Sequence, residues 1–186
     1  GGTYSKDVSR YLAEGLKLEN IDGKYVVTKD PSFGKVAMIG ENYYATLAEA
    51  IANATEGQTI TFLTDITEDV TVNKDLTIDG GNFEYTGNIS VKGSTVDVVI
   101  KNVNFVNGTG YAITTNSIKS ITVENCTVTN YGYGFLYANK STPTVAIKNV
   151  KVEGGNYGFH YVYGTTATLE NVTMTNVKYG LYIQNY

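Results

Sequence analysis

The chain has 186 residues, enough for one sizeable core with or without a small appendage, and only 17% of them are charged, for a formal net charge of −4. With a single arginine, Arg10, and scattered lysines there is no basic patch for a nucleic-acid backbone, and one cysteine and one histidine, Cys126 and His160, exclude an internal disulfide and a Cys/His metal site. No stretch approaches the ~20 apolar residues of a membrane span, no opening segment resembles a signal peptide, and the wealth of Gly, Thr, Val, Asn and Tyr with two prolines points to an all-β chain of short strands.

Residues 1–34 read as a separate small α+β unit. Val8, Tyr11 and Leu12 stand at helical spacing, with Asp7 as N-cap and Gly15 as stop. Lys24 to Lys29 and Lys35 to Ile39 read as strands around the turn Pro31-Ser32-Phe33-Gly34. Gly1-Gly2-Thr3-Tyr4 is similar to Gly80-Gly81-Asn82-Phe83 further on, so the unit is expected to open with the tail of a preceding coil.

From residue 35 to 186 the pattern changes. Thr46 and Glu49 form a capping box, and Leu47, Ala50, Ile51 and Ala54 make an apolar stripe ended by Gly57. This predicts a short helix closing the N-terminal end of a stack of coils.

The coils themselves are visible as a repeat. Segments 76–83, 99–105, 121–128, 145–152 and 168–174 align without gaps, and their key position reads Gly80, Asn102, Asn125, Asn149 and Asn171, at spacings of 22, 23, 24 and 22. Such a period suits one turn of a three-strand parallel β-helix, whose coils stack about 4.8 Å apart. Inward columns arise by period-two alternation: Ile78, Ile100, Val123, Ile147 and Leu169 before the corner, Gly81, Val103, Cys126, Val150 and Val172 just after it, then Phe83, Phe105, Val128, Val152 and Met174. The parity change at the corner requires a bend, and asparagine accepts the left-handed conformation there while its amide bonds along the column, so a structural ladder of Asn102, Asn125, Asn149 and Asn171 is expected. Outward beside it, Asp79, Lys101, Glu124, Lys148 and Glu170 alternate in sign and fix register. A further inward column is read as Tyr111, Phe135, Phe159 and Leu181, each after a glycine. The fold expected is thus a single-stranded right-handed parallel β-helix of about five coils with an N-terminal capping helix.

The run GGTYSKDVSRYLAEG…GKYVV, then KVAMIGENYYATLAEAIANATEGQTITFLTDITEDVTVNKDLTIDGG, resembles tandem modules of large surface and secreted proteins of gut Gram-positive bacteria. In these a YxTLxEAI helix precedes a G-x-T-I-x-L-L-x-D-[IV] segment and a pectate-lyase-like β-helix. The resemblance covers almost the whole chain and implies an extracellular, secreted or cell-wall-attached module. The same fold carries lyases, hydrolases, tailspikes and non-catalytic adhesins, so activity has to be argued from residues.

Three functions compete. Tyrosines concentrate at 131, 133, 137, 157, 161, 163, 179, 182 and 186 and suggest an aromatic strip for a glycan ligand, with Tyr133, Tyr157, Tyr179, His160 and Tyr182 as candidate contacts; several of the rings filling the core is the plainer alternative. His160, placed in an outward column after Ala112 and Leu136 and before Tyr182, is given no catalytic role. A lyase or hydrolase needs a base or an acidic cluster; Asp75 and Asp97 are 22 apart and stack in one loop column, which continues as Ser120 and Thr144, so they read as turn residues. The third function is a structural spacer. No catalytic residue, metal or cofactor is assigned, Cys126 is read as a buried hydrophobe, and the Asn-X-Thr triplets at Asn107, Asn125 and Asn171 are read as by-products of the repeat, two of them within a buried ladder. The last coil has no cap, so end-to-end self-association or contact with a neighbouring module is the expected partnership.

Overall fold

The structure is a computed structural model and describes residues 1–139, 144–162 and 164–184. Two compact units are present, Gly1–Lys35 and Val36–Tyr186.

The first unit is a three-stranded antiparallel sheet. Leu16–Ile21 and Lys24–Lys29 form a hairpin turned by Asp22 and Gly23, both left-handed, and Gly2–Tyr4 pairs with the other side of Lys24–Lys29. The predicted helix at Val8 to Leu12 is a single 3-10 turn, Ser9–Tyr11. Asp7 does accept from the Ser9 amide, but Tyr11 is exposed, so no apolar stripe exists to hold a longer helix. Gly1 to Tyr4, expected as a coil tail, is an antiparallel edge strand here.

The second unit is the parallel β-helix, a solenoid of about five turns with one short α-helix. Each coil lays down three strands. The first set comprises Gln58–Phe62, Leu76–Asp79 and the strand segments 97–101, 120–124, 144–148 and 166–170; all pair in parallel register. The second set, from Ile66–Thr67 to Thr173–Thr175, forms a six-stranded parallel sheet. The third set runs from Val70–Val72 to Tyr179–Gln184. Every inward column described from the sequence between Ile78 and Ile147, together with Val103, Cys126 and Val150, is buried.

The Leu47–Asn53 helix caps the first coil. Thr46 Oγ1 accepts from the Glu49 amide at 3.0 Å and Glu49 returns a bond to the Ala45 amide, while Leu47, Ala50 and Ile51 are buried. The first coil grips both ends of this helix: Glu68 accepts from the Leu47 and Ala48 amides, and the Lys74 ammonium donates to the Ala52 and Ala54 carbonyls. A carboxylate at the start and a cation at the end match the helix dipole. A hairpin of Ala37–Ile39 and Asn42–Tyr44 completes the cover by pairing antiparallel with Gln58–Phe62.

The aromatic column inside the stack differs from expectation at its start. Tyr85, not Phe83, pairs with Phe105, because the corner after Gly80 carries two extra residues and Asn82 takes the left-handed turn. Phe62, Tyr85, Phe105 and Tyr131 then succeed one another with centroids 5.9, 5.7 and 6.3 Å apart. Tyr131 is therefore a core residue. Its ring occupies the space beside Gly108, where a Cβ would lie 2.0 Å away, and its hydroxyl donates to the Gly87 carbonyl at 2.8 Å.

Candidate functional site: the two asparagine corners and the tyrosine face

Asn102, Asn125, Asn149 and Asn171 all have φ between 52 and 54°, as a left-handed corner demands. The side chains bond in one direction along the stack: Asn171 Nδ2 donates to Asn149 Oδ1 at 3.0 Å, Asn149 Nδ2 to Asn125 Oδ1 at 3.1 Å, and Asn102 Nδ2 to Asp79 Oδ1 at 2.9 Å. The ladder is not buried, however. Asn125, Asn149 and Asn171 are exposed, since a left-handed residue at an outer vertex turns its side chain to solvent and sends the next one inward. The triplets at Asn125 and Asn171 thus lie on the surface.

A second ladder stands beside the one expected. Asn107, Asn130, Gly154 and Asn176 also have positive φ and mark the next vertex, and Asn130 Nδ2 approaches Asn107 Oδ1 at 3.4 Å. The spacings of 23, 24 and 22 repeat those of the first ladder and are the sequence signal that identifies it. In the charge column Lys101 pairs with Asp79 at 3.5 Å, and the register sets Lys101 beside Glu124, Glu124 beside Lys148 and Lys148 beside Glu170. Burial opposes ionisation of Asp79, but bonds from Asn102 and the Gly81 amide and the nearby Lys101 charge outweigh it and lower its pKa.

Asp75 and Asp97 are joined through the backbone and not carboxylate to carboxylate. Asp75 accepts from the Asp97 amide, and the Asp97 carboxylate is held by Lys119 and Ser120, whose bonds lower its pKa. A general acid would need the opposite shift. Among the described residues, no group of three or more His, Cys, Asp or Glu could hold a cation.

The tyrosines gather on the outer face of the third strand set. Here the alignment read from the sequence is one residue out in the steps from Tyr111 to Phe159 and correct in the last one: Tyr111 pairs with Gly134, then Tyr157 and Tyr179, while Thr114 pairs with Tyr137, then His160 and Tyr182. His160 therefore succeeds Tyr137, not Leu136. The cause is a break in alternation, since Ala112 and Ile113, and again Phe135 and Leu136, are consecutive buried residues. Phe159 and Leu181 stand in the column of Ile113 and Leu136, not of Tyr111 and Phe135.

Gly134 explains the packing of this face. Its φ is 148° and a Cβ there would meet the Tyr157 carbonyl at 1.8 Å, so the gap in the outward column belongs to the neighbouring rings. Tyr111 stacks on Tyr133 at 5.7 Å and on Tyr157 at 6.2 Å, and Tyr157 stacks on Tyr179 at 5.5 Å with 19° between planes. Tyr137, His160 and Tyr182 lean against them, with His160 4.7 Å from Tyr137 and 4.9 Å from Tyr182.

Gln184 Oε1, which only accepts, lies 2.9 Å from His160 Nε2, so the proton sits on Nε2 and Nδ1 is free to accept from the Tyr111 hydroxyl at 2.7 Å. Burial lowers the His160 pKa against a smaller opposing effect of Gln184, and it raises that of Tyr111, so both are neutral near pH 7. The Lys178 ammonium stands 5.3 Å from the Tyr179 ring.

Of the candidate contacts, Tyr133, Tyr179 and Tyr182 are 57, 42 and 37% exposed, whereas Tyr157 and His160 are half-buried between rings. Tyr161 packs on Phe159 against the core, and Tyr163 and Tyr186 lie outside the described residues. Comparison of this chain with protein families, with curated proteins and with solved structures finds no match.

Proposed function

We propose that this β-helix is a non-catalytic extracellular binding module that takes a carbohydrate on its tyrosine face. The carrying observation is the tyrosine face, on which exposed Tyr133 is joined to exposed Tyr179 and Tyr182 through the half-buried rings of Tyr111 and Tyr157. Phenols join apolar area to a hydroxyl that donates and accepts, which suits sugar rings and their hydroxyls. The neutral His160 between them adds no charge, and the cation beside the rings is Lys178. The resemblance to pectate-lyase-like modules of surface and secreted proteins supports an outer, cell-wall-attached or secreted setting. Absence of catalysis is argued from Asp97, which sits in a paired strand and whose carboxylate is taken up by Lys119 and Ser120.

A spacer is the second reading, favoured by the rings spending their faces on one another, as Tyr157 and Tyr179 do. A glycan array separates the two. The binding module is expected to retain at least one defined glycan, and the double variant Tyr133→Ala/Tyr182→Ala is expected to lose it with little change in melting temperature. Silence across the array would favour the spacer, and release of unsaturated or reducing ends from a polysaccharide, with or without calcium, would overturn both.

A further inference from the structure

The Tyr111 hydroxyl is aimed at a base. It lies 2.7 Å from His160 Nδ1, the nitrogen left without a proton because Nε2 donates to Gln184 Oε1 at 2.9 Å. Tyr111 belongs to the strand Tyr111–Glu124 and His160 to Tyr157–Val162, and each of these strands pairs with a neighbour on both sides, so the contact is internal to the stack. Both residues are half-buried.

This arrangement meets the needs of one-electron chemistry. A phenol that loses an electron becomes a strong acid, and the loss is easy where a base within hydrogen-bond reach takes the proton in the same event. Burial raises the Tyr111 pKa, so no phenolate is at hand and the proton has to leave with the electron. Burial also weakens His160 as a base, but an oxidised phenol is a far stronger acid than an imidazolium. An imidazolium at this place has the Tyr137 and Tyr157 rings 4.7 and 4.9 Å away, close enough for cation–π attraction, and keeps Gln184 as acceptor. The Tyr133 ring, 57% exposed and stacked on Tyr111 at 5.7 Å, gives the electron a way out.

We propose that Tyr111 and His160 form a redox-active pair, at which a one-electron oxidant in solution, a metal(III) complex or a phenoxyl radical, takes an electron from Tyr111 while His160 takes its proton. The Tyr111 O–H bond breaks and an N–H bond forms at Nδ1, leaving a neutral phenoxyl radical and an imidazolium, and the oxidant is reduced by one electron. One electron from a reductant such as an enediolate, with the proton returning from Nδ1, restores both groups. None of this depends on glycan binding.

The test is flash oxidation of the whole chain by a photogenerated ruthenium(III) polypyridyl, followed through the phenoxyl absorption. The wild type is expected to show a fast phase that slows in deuterated water, and Tyr111→Phe is expected to abolish it. His160→Gln, which keeps a hydrogen-bond acceptor but no base, is expected to slow that phase roughly a hundredfold, into the background of the other phenols. Melting curves check that both variants are folded. Equal fast phases in wild type and His160→Gln, or a fast phase that survives Tyr111→Phe, would overturn the proposal. So would a wild-type phase without an isotope effect, a result that needs no variant.

Discussion

The hydroxyl of Tyr111 lies 2.7 Å from Nδ1 of His160, two coils further along the stack, over the space that Gly134 leaves open. The imidazole serves as acceptor to an earlier coil and as donor to Gln184 on the last. In its neutral form it ties three coils together.

Protonation of His160 removes the acceptor. Its pKa is lowered below the ordinary 6.5 by burial, so the unfolded chain takes up the proton first, and stability from this site is complete above about pH 6.5 and declines as pH falls toward the folded-state value. Thermal melts of the wild type are expected to drop as pH falls below about 6.5, and His160→Gln is expected to flatten that dependence. Equal slopes for the two proteins would remove His160 as the cause. The rings packed against it, those of Tyr111, Tyr137, Tyr157 and Tyr182, are phenols.

Asn149 tests the first ladder. Its exposure makes backbone conformation the main contribution, and Asn149→Ala should cost about 1 kcal/mol for forcing alanine into the left-handed region. Asn149→Gly meets no such penalty and should stay within a few tenths of a kcal/mol of wild type by urea denaturation. A glycine variant as weak as alanine would shift the weight to the side-chain amide bonds.

Tyr131 tests the interior assignment. Its hydroxyl donates to the Gly87 carbonyl and receives the Gly87 amide at 3.2 Å. Tyr131→Phe leaves these groups without their partner and should lower stability by about 1–3 kcal/mol. A surface tyrosine such as Tyr133, changed the same way, should move it by less than about 0.5 kcal/mol.

Cys126 reports on coil opening. The thiol is 1% exposed and burial pushes its pKa up to about 12, so little thiolate is present or reachable in the folded state. Reaction with a thiol reagent at about pH 8 should track the unfolding rate and accelerate in urea. Labelling as fast as a free thiol in native buffer would contradict the column order of Val103, Cys126 and Val150.

Columns built from one repeated residue type are legible in the sequence, because stacking in register copies a position every 22 to 24 residues: the asparagine corner, the charge column and the inward Ile and Val positions all obey this rule. Legibility fails where a coil departs from simple alternation. Around the paired burial of Phe135 and Leu136 the coil-to-coil step is 23 residues, not the 24 read from the sequence, so Tyr111 and Phe159 fall in different columns, and the two added residues after Gly80 exchange Phe83 for Tyr85. Spacing alone does not say whether a tyrosine points in or out, which is why Tyr131 and Tyr133, two residues apart, have opposite fates. The strand Leu16–Ile21 leaves no comparable mark, because it pairs only with its hairpin neighbour and carries no repeat.

The two left-handed vertices stand five positions apart in every coil that has both: 102 and 107, 125 and 130, 149 and 154, 171 and 176. The side between them is a ruler of fixed length, whereas the coil that passes through Gly93 spends one residue more between Ile89 and Asp97 than its neighbour does between Ile113 and Ser120. From Asn102 onward, variation in coil length is thus confined away from that side, and only the earlier coil departs from the rule, with its two added residues after Gly80. A lineage could lengthen the opposite vertex, or graft a loop onto it, without disturbing a single rung, which makes that vertex the place where such a scaffold is free to diversify.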